Sequence, residues 1–207
     1  MAKRSKSSSR WMQEHLKDEY VLRARKEGWR SRAVYKLSEI HEREKLIRPG
    51  MTLIDLGAAP GSWSQYATSL LDGRGSILAL DLLAMDSLPD VEFIQGDFTE
   101  PAVLDELLER LGDRKADLVM ADMAPNMSGM SAVDQPRVIY LAELTLDLAH
   151  KALKPGGFML VKLFHGQGFD AYVAAVKQCF GKVKVRKPKA SRPRSRETYL
   201  LAGNYGL

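Results

Sequence analysis

Short apolar runs alternate with amphipathic stretches along most of the chain, and this alternation predicts its secondary structure. A strand is predicted where apolar residues are consecutive, and a helix where they recur every three or four positions. The predicted strands are Met51–Leu56, Ser76–Leu80, Val91–Ile94, Ala116–Ala121, Phe158–Phe164, Val183–Arg186 and Thr198–Ala202. The predicted helices are Ser31–Glu44, Ser62–Leu71, Pro101–Leu111, Pro136–Leu153 and Phe169–Phe180. Strands that alternate with such helices predict an α/β fold, a single domain with a doubly wound parallel sheet.

The start of the chain follows a different pattern. Residues 1–12 are rich in Ser, Lys and Arg and contain almost no apolar side chain, which predicts a mobile basic arm. Residues 1–30 are therefore assigned to a basic arm and extension, and residues 31–207 to the folded domain. No apolar stretch follows the basic start, and no window approaches the roughly 18 apolar residues of a membrane span. We expect a cytoplasmic protein with neither a signal peptide nor a membrane anchor.

Composition and charge indicate which kinds of binding site the chain can form. The chain has one cysteine, Cys179, and 4 histidines, so we expect neither a disulfide nor a structural metal site. The net charge of +5 resolves into +7 for residues 1–50, −12 for residues 51–150 and +10 for residues 151–207. Two basic ends around an acidic middle predict surfaces that bind a polyanion such as nucleic acid.

Charged residues stand at or near the ends of four predicted strands. Asp55, Asp81 and Asp122 each end a strand, and Lys162 lies inside the apolar run FMLVKLF. In doubly wound sheets, ligands bind outside the carboxyl ends of the strands. A single such aspartate is better explained as a capping side chain, and Lys162 alone could form a structural ion pair. Four charges on successive strands favour a binding edge.

The loop after the first strand, GAAPGSW from Gly57 to Trp63, predicts close approach of the backbone to a ligand. It lacks the second glycine of G-x-G-x-x-G, which argues against a dinucleotide and its pyrophosphate. It suits a nucleoside without pyrophosphate, such as S-adenosylmethionine. Asp81 could then accept hydrogen bonds from ribose hydroxyls, and Asp97 from an adenine amine. The alternative interpretation is that the glycines of this loop serve only packing and bind no ligand.

Lys36 and Glu197 each have two interpretations. Lys36 flanks the apolar face of its predicted helix and either snorkels to solvent or points toward the body of the domain. Glu197 opens the last predicted strand. If that strand is antiparallel, it starts at the same edge as the carboxyl ends of the others; otherwise Glu197 neutralises Arg196 or another neighbour.

Six segments together resemble one family. They are SRAVYKL, DLGAAPGSWSQY, QGDF, DMAPNMSG, VKLFHGQGF and VRKPKASRPRSRETYL. The chain resembles the FtsJ/RrmJ family of S-adenosylmethionine-dependent RNA 2′-O-ribose methyltransferases. The resemblance implies a single Rossmann-like domain whose mostly parallel sheet has an antiparallel last strand. The length is similar to that of the bacterial members that methylate a uridine ribose in the A-loop of large-subunit (23S) rRNA. The implied partner is large-subunit rRNA within the 50S subunit, and the implied state is a monomer.

The resemblance also assigns residues. The family's catalytic tetrad maps onto Lys36, Asp122, Lys162 and Glu197. The implied cofactor-binding residues are Gly61, Trp63, Asp81, Asp97 and Asp122. The family usually has a second glycine where this chain has Ser62, a residue that could cap the following helix.

The implied chemistry makes Lys162 the proton acceptor for a ribose 2′-hydroxyl. Burial and the nearby charge of Lys36 would favour the neutral amine of Lys162. Asp122, Lys36 and Glu197 would support that lysine, and the basic ends would contact RNA phosphates. Two alternatives remain at this point: an RNA-binding assembly factor without turnover, and a nicotinamide-dependent oxidoreductase on the same sheet.

Overall fold

The computed structural model describes residues 18–207. Its helices are α1 Glu19–Glu27, α2 Val34–Glu44, α3 Ser62–Leu71, α4 Pro101–Leu111, α5 Ser131–Ala152 and α6 Phe169–Cys179. Its strands are β1 Thr52–Leu56, β2 Ser76–Asp81, β3 Val91–Gln95, β4 Ala116–Ala121, β5 Leu153–Phe164, β6 Phe180–Arg186 and β7 Glu197–Tyr205. From α2 to β6 helices and strands alternate as the apolar pattern predicts, except that β2 and β3 follow one another without a helix between them.

The seven strands form one sheet in the order β3-β2-β1-β4-β5-β7-β6. The pairings from β3 across to β5 are parallel, whereas β7 lies antiparallel to both β5 and β6. The strand order reverses between β1 and β4, which is the switch point where doubly wound sheets bind ligands. The predicted fold class, including the antiparallel last strand, is confirmed.

Each face of the sheet carries its own hydrophobic core. Leu53 and Ile54 are adjacent on β1 and both are fully buried, Ile54 in the core with α4, α5 and α6 and Leu53 in the core with α2 and α3. Successive side chains of a strand point to opposite faces, so both faces must be covered. Central strands buried on both sides are apolar over most of their length. Their polar side chains lie toward the strand ends, as Thr52 and Asp55 do on β1.

Helix α1 is absent from the predicted elements and packs against the domain. Asp18 caps it by accepting a hydrogen bond from the Tyr20 backbone N–H at 3.0 Å. The second oxygen of Asp18 pairs with Arg32 at 2.8 Å, and Ala24 packs in a small core with residues of α2 and Ala190. The predicted arm of residues 1–12 lies outside the described residues. A domain boundary at residue 30 remains a prediction.

Helix α5 begins at Ser131, before the predicted start at Pro136. Asp134 accepts hydrogen bonds from the backbone N–H and hydroxyl of Ser128, both at 2.8 Å, and from Gly129 N–H at 2.9 Å. These bonds hold the loop before the helix against its first turn. Pro136, which is predicted to be the first residue of this helix, therefore lies inside it.

Strand β5 also begins earlier than predicted, at Leu153 instead of Phe158. The sequence Pro155-Gly156-Gly157 does not form a separate loop but lies within the strand. The register against β4 shifts between Ala116 and Leu118, so proline and glycine mark an irregular strand entry.

The structure also bears on membranes and metals. No helix within residues 18–207 is long and apolar enough to cross a membrane. Over that same range, no three His, Cys, Asp or Glu side chains are grouped closely enough to hold a metal ion.

Candidate active site

A pocket of about 560 Å³ opens at the carboxyl ends of β1 to β5. Its charged lining consists of Asp81, Asp97, Asp122, Arg137 and Lys162. The remaining lining comes from the loops after β1, β2, β3 and β4, together with Tyr140 and Leu141 from α5. The structure thus brings together Lys162 and three of the predicted aspartates at the predicted edge of the sheet.

Asp81 and Asp97 are fixed by local hydrogen bonds. The Ala59 N–H donates to Oδ2 of Asp81 at 2.9 Å, and the Leu83 N–H donates to Oδ1 at 2.8 Å. Oδ1 of Asp97 accepts from the backbone N–H and the hydroxyl of Thr99, at 2.9 and 2.7 Å. These two hydrogen bonds from Thr99 hold the pKa of Asp97 below its usual value. Both carboxylates keep further lone pairs for a ligand in the pocket.

Lys162 and Asp122 form an ion pair inside the pocket. Nζ of Lys162 lies 3.1 Å from Oδ1 of Asp122 and donates to the backbone carbonyl of the same residue at 2.5 Å. The Tyr199 hydroxyl donates to the same carboxylate oxygen at 2.6 Å. Burial opposes ionisation of Asp122, but the charges of Lys162 and Lys36 and the Tyr199 hydrogen bond outweigh it, so the pKa of Asp122 is lowered.

Lys36 and Glu197 form a second ion pair beside the first. Nζ of Lys36 lies 2.8 Å from Oε1 and 2.9 Å from Oε2 of Glu197. The hydroxyl of Ser191, which is 3% exposed, donates to Oε1 at 2.6 Å. Lys36 therefore points into the domain, and the alternative of a snorkelling side chain is wrong. Glu197 is paired with Lys36, so its assignment as a neutraliser of Arg196 is wrong as well.

The antiparallel course of β7 places the two pairs next to each other. In the sheet register Glu197 lies opposite Phe164, and Tyr199 lies opposite Lys162. Nζ of Lys36 is 5.7 Å from the centre of the Tyr199 ring. Burial and the charges of Asp122 and Glu197 raise the pKa of Tyr199 well above its usual value. Tyr199 thus remains a hydrogen-bond donor between two ion pairs.

Asp55 is separate from this group. It is fully buried on β1 and accepts a hydrogen bond from the Ser64 hydroxyl at 2.7 Å. Burial raises its pKa to about 7, with smaller contributions from the charges of Asp122 and Asp81, against the lowering effect of Ser64. Asp55 does not line the pocket, so three of the four strand-end charges share it.

Gly61 and Trp63 also lie outside the pocket lining. The Trp63 indole is 2% exposed, and its Nε1 donates to the carbonyl of Ala33 at 2.8 Å. Gly61 has a φ of 103° and precedes α3 as its N-cap. Both residues shape the loop that borders the pocket, and their direct contact with a cofactor remains a prediction.

Ser62 is the first residue of α3, and no side chain caps this helix. Its hydroxyl accepts a hydrogen bond from the Ser31 hydroxyl at 2.8 Å. The predicted capping role of Ser62 is therefore wrong, because Gly61 occupies the N-cap position. Ser62 instead connects the start of α3 to the segment before α2.

Two residues of the site escaped the sequence-based assignment. Tyr199 lies two positions after Glu197 on β7, so period-two alternation placed both on one face and could have identified it. Ser191 lies in the irregular segment before β7, where no periodicity applies.

The basic segment from residue 182 to 196 is partly neutralised within the protein. Glu44 pairs with Lys184 at 2.8 Å and with Arg186 at 2.5 Å, and Lys187 Nζ donates to the carbonyl of Ser195 at 2.7 Å. The exposed basic residues of this segment include Lys182, Lys189, Arg194 and Arg196. Lys189, Arg194 and Arg196 belong to the stretch that leads into Glu197.

A family model of FtsJ-like methyltransferases matches residues 29–205. The chain belongs to the FtsJ-like methyltransferase family. It is therefore a methyltransferase, and the family implied by its sequence motifs is confirmed. Two similar relatives are described as ribosomal RNA large subunit methyltransferase E and come from Legionella pneumophila strains Corby and Paris. Each is 60% identical to this chain over 204 residues, and the match covers 99% of this chain and 99% of the relative.

Two solved structures are similar to the chain. A Plasmodium falciparum protein described as a ribosomal RNA methyltransferase superposes with a TM-score of 0.77 at 29% identity, covering 86% of this chain and 98% of that one. A chain of a fibrillarin/Nop5p complex superposes with a TM-score of 0.60 at 16% identity, covering 85% of each chain. The second match shows a shared fold only.

Proposed function

We propose that this FtsJ-like methyltransferase transfers a methyl group from S-adenosylmethionine to a ribose 2′-hydroxyl of large-subunit rRNA, at a uridine of the A-loop. The observation that carries the proposal is the Lys162–Asp122 pair inside the pocket. The adjoining Lys36–Glu197 pair supports it. The relatives that match nearly the whole chain are named for methylation of large-subunit ribosomal RNA.

The chemistry of the pocket fits S-adenosylmethionine better than a nicotinamide dinucleotide. Asp81, Asp97 and Asp122 place three carboxyl groups around one cavity. Carboxylates favour a cationic sulfonium and an amino group, whereas they repel the pyrophosphate of a dinucleotide. We assign Asp81 to the ribose hydroxyls, Asp97 to the adenine amine and Asp122 to the amino group of the methionine portion.

S-adenosylmethionine supplies, when bound, a methyl group on a positively charged sulfur. The task of the protein is to orient the ribose hydroxyl and to accept its proton. Lys162 is the residue we assign to proton acceptance. Asp122 fixes its Nζ through two oxygens, while Lys36 and Glu197 orient the ribose from the side of β7.

The charge distribution supports an RNA partner. The exposed basic residues before β7 lie on the segment that carries Ser191 and leads directly to Glu197. Phosphate contacts on this segment would bring the target ribose to the carboxyl edge of the sheet. We propose that the protein acts as a cytoplasmic monomer on rRNA assembled in the 50S subunit.

A methyl-transfer assay tests the proposal. Tritiated S-adenosylmethionine is incubated with total RNA and with unmodified 50S particles, and the modified nucleotide is then mapped. We expect label on one ribose of the large-subunit rRNA, and none with Lys162→Ala. Lys115→Ala is the matched control, because Lys115 donates to the carbonyl of Lys151 at the opposite edge of the sheet. Label on a base or on protein would contradict the reaction class, and binding without transfer would favour a non-catalytic assembly factor.

A further inference from the structure

Arg30 connects two loops that form one side of the pocket. Its Nη1 donates to the carbonyl of Pro60 at 3.1 Å and to that of Asp86 at 2.7 Å, and its Nη2 donates to the carbonyl of Ser87 at 2.9 Å. Pro60 belongs to the loop between β1 and α3, and the other two residues belong to the loop after β2. The planar guanidinium can hold three carbonyls at once, which an ammonium cannot do with the same geometry.

Asp81 connects the same two loops from inside the pocket. Its two oxygens accept from the N–H groups of Ala59 and Leu83, one in each loop. A carboxylate therefore binds N–H groups of both loops, and Arg30 binds carbonyls of both loops. Because Ala59, Leu82 and Leu83 line the cavity, the width of this part of the pocket depends on the spacing between the loops.

The backbone that carries Arg30 is itself held by helix α3. The Arg30 N–H donates to Oε1 of Gln65, and Nε2 of Gln65 donates to the carbonyl of Gly28, both at 3.0 Å. The guanidinium therefore extends from a segment fixed to α3, the helix that follows the loop of residues 57–61.

The surroundings of Gly61 show how closely Arg30 approaches the loop of residues 57–61. A Cβ atom at Gly61 would lie 2.6 Å from Nη1 of Arg30 and 2.8 Å from Sδ of Met85. The residue also has a φ of 103°, which a residue with a side chain rarely adopts. The φ value alone explains glycine at this position, independently of any contact with a cofactor.

We propose that Arg30 is a positioning residue of the cofactor site, which holds the loop of residues 82–90 against the loop of residues 57–61 before the cofactor binds. The loop of residues 82–90 contains no helix or strand, so without this contact it would have to be ordered during binding, at a cost in affinity. The proposal rests on the proposed function for the identity of the cofactor. It assigns a role in the cofactor site to Arg30, a residue of the segment before position 31.

The experiment measures cofactor affinity without RNA. S-adenosylmethionine is titrated calorimetrically into the full chain, as the wild type and as Arg30→Ala, Arg30→Lys and Arg74→Ala. We expect Arg30→Ala to bind roughly ten- to a hundredfold more weakly and Arg30→Lys to lie between it and the wild type. Millimolar guanidinium should restore part of the affinity of Arg30→Ala, whereas methylammonium should not. Arg74→Ala is the matched control, because its side chain is 68% exposed and precedes β2 at the opposite edge.

A second measurement separates positioning from simple loss of stability. Hydrogen exchange of the ligand-free proteins should be faster for residues 82–90 in Arg30→Ala, with unchanged exchange in the strands. Unaltered affinity of Arg30→Ala, or a weakened affinity that follows global destabilisation without rescue by guanidinium, overturns the proposal. A wild-type protein that binds no S-adenosylmethionine contradicts the proposed function itself and the assigned role of Arg30 with it.

Discussion

The Tyr199 hydroxyl donates a 2.6 Å hydrogen bond to Oδ1 of Asp122, the oxygen that Lys162 also approaches at 3.1 Å. One buried carboxylate oxygen thus receives a neutral and a charged donor from neighbouring strands. Such an arrangement stabilises the ionised carboxylate and restricts where the lysine nitrogen can lie.

Loss of the Tyr199 hydroxyl should raise the pKa of Asp122. Tyr199→Phe removes a hydrogen bond to the ionised form of Asp122, so the pKa of this carboxyl should rise from its lowered value by up to about one unit. Carbon-13 NMR of the Asp122 carboxyl across the acid pH range measures this. Tyr172→Phe is the matched control, because that buried hydroxyl donates to Ala142, remote from Asp122; a shift of equal size in both variants would refute the explanation.

Substitution of Lys162 should separate binding from turnover. Lys162→Ala removes the assigned proton acceptor, and turnover should fall by about 10²–10⁴-fold. The affinity for S-adenosylmethionine, measured calorimetrically, should change much less. Lys162→Arg keeps the positive charge but cannot accept a proton at neutral pH, so it should be almost as inactive. Near-normal turnover in either variant would rule out Lys162 as the proton acceptor.

Ser191 should act on catalysis through Glu197. Its buried hydroxyl donates to Oε1 of Glu197 at 2.6 Å, and Ser191→Ala leaves that oxygen with Lys36 alone. We expect kcat to fall roughly three- to thirtyfold, with little change in the KM for S-adenosylmethionine. Ser191→Thr, which keeps the hydroxyl, should recover part of the rate. Ser38→Ala is the control, since its hydroxyl donates to the Tyr35 carbonyl on α2; an equal loss in both variants would argue against this role.

Asp55 should make stability depend on pH. Its carboxyl ionises near pH 3.8 in the unfolded chain and at about 7 when folded, so the unfolded state gains stability as the pH rises between these values. The change corresponds to about 4 kcal/mol at most, at about 1.4 kcal/mol per pH unit. Asp55→Asn cannot ionise, so its unfolding free energy relative to wild type should increase from pH 5 to pH 8.5.

Urea unfolding at several pH values measures this difference. Asp113→Asn, on an exposed turn, serves as the control and should show no comparable trend. A pH-independent difference between Asp55→Asn and the wild type would show that Asp55 does not retain its proton.

Ser62→Gly tests the residue at which this chain departs from the family pattern. The substitution removes the hydrogen bond from Ser31 and adds backbone freedom at the first position of α3. We expect a loss of about 1 kcal/mol in unfolding free energy, with unchanged affinity for S-adenosylmethionine. A double-mutant cycle with Ser31→Ala measures the hydroxyl pair itself. Zero coupling between the two substitutions would contradict its contribution.

The sequence predicts the strands and most helices because the sheet is buried on both faces. The central strands are apolar over most of their length, as at Leu53 and Ile54, and their apolar runs are bounded by turn residues. Helix α1 has no clear apolar pattern because its sequence, EYVLRARKE, is mostly charged and only Val21 and Ala24 are buried. The irregular start of β5 was missed because proline and glycine are typical of loops and of strand bulges alike.

The sequence predicts which charged residues form the candidate site better than it predicts the hydrogen bonds that hold them. Lys162 and the aspartates could be placed at one edge because parallel strands end together. Arg30 could not be found, because its partners are backbone carbonyls 30 and more positions away, which no side-chain pattern reveals. Ser191 likewise depends on the path of an irregular segment before β7.

The position of β7 between β5 and β6 has a consequence for biosynthesis. Lys36 and Lys162 are translated before Glu197 and Tyr199, and β7 must insert between two strands that precede it in the chain. A nascent chain that has already folded β1 to β5 therefore lacks Glu197, the partner of Lys36, and Tyr199, the donor to Asp122. Such an intermediate would be inert, and competence for methyl transfer would arise only when the final strand has entered the sheet.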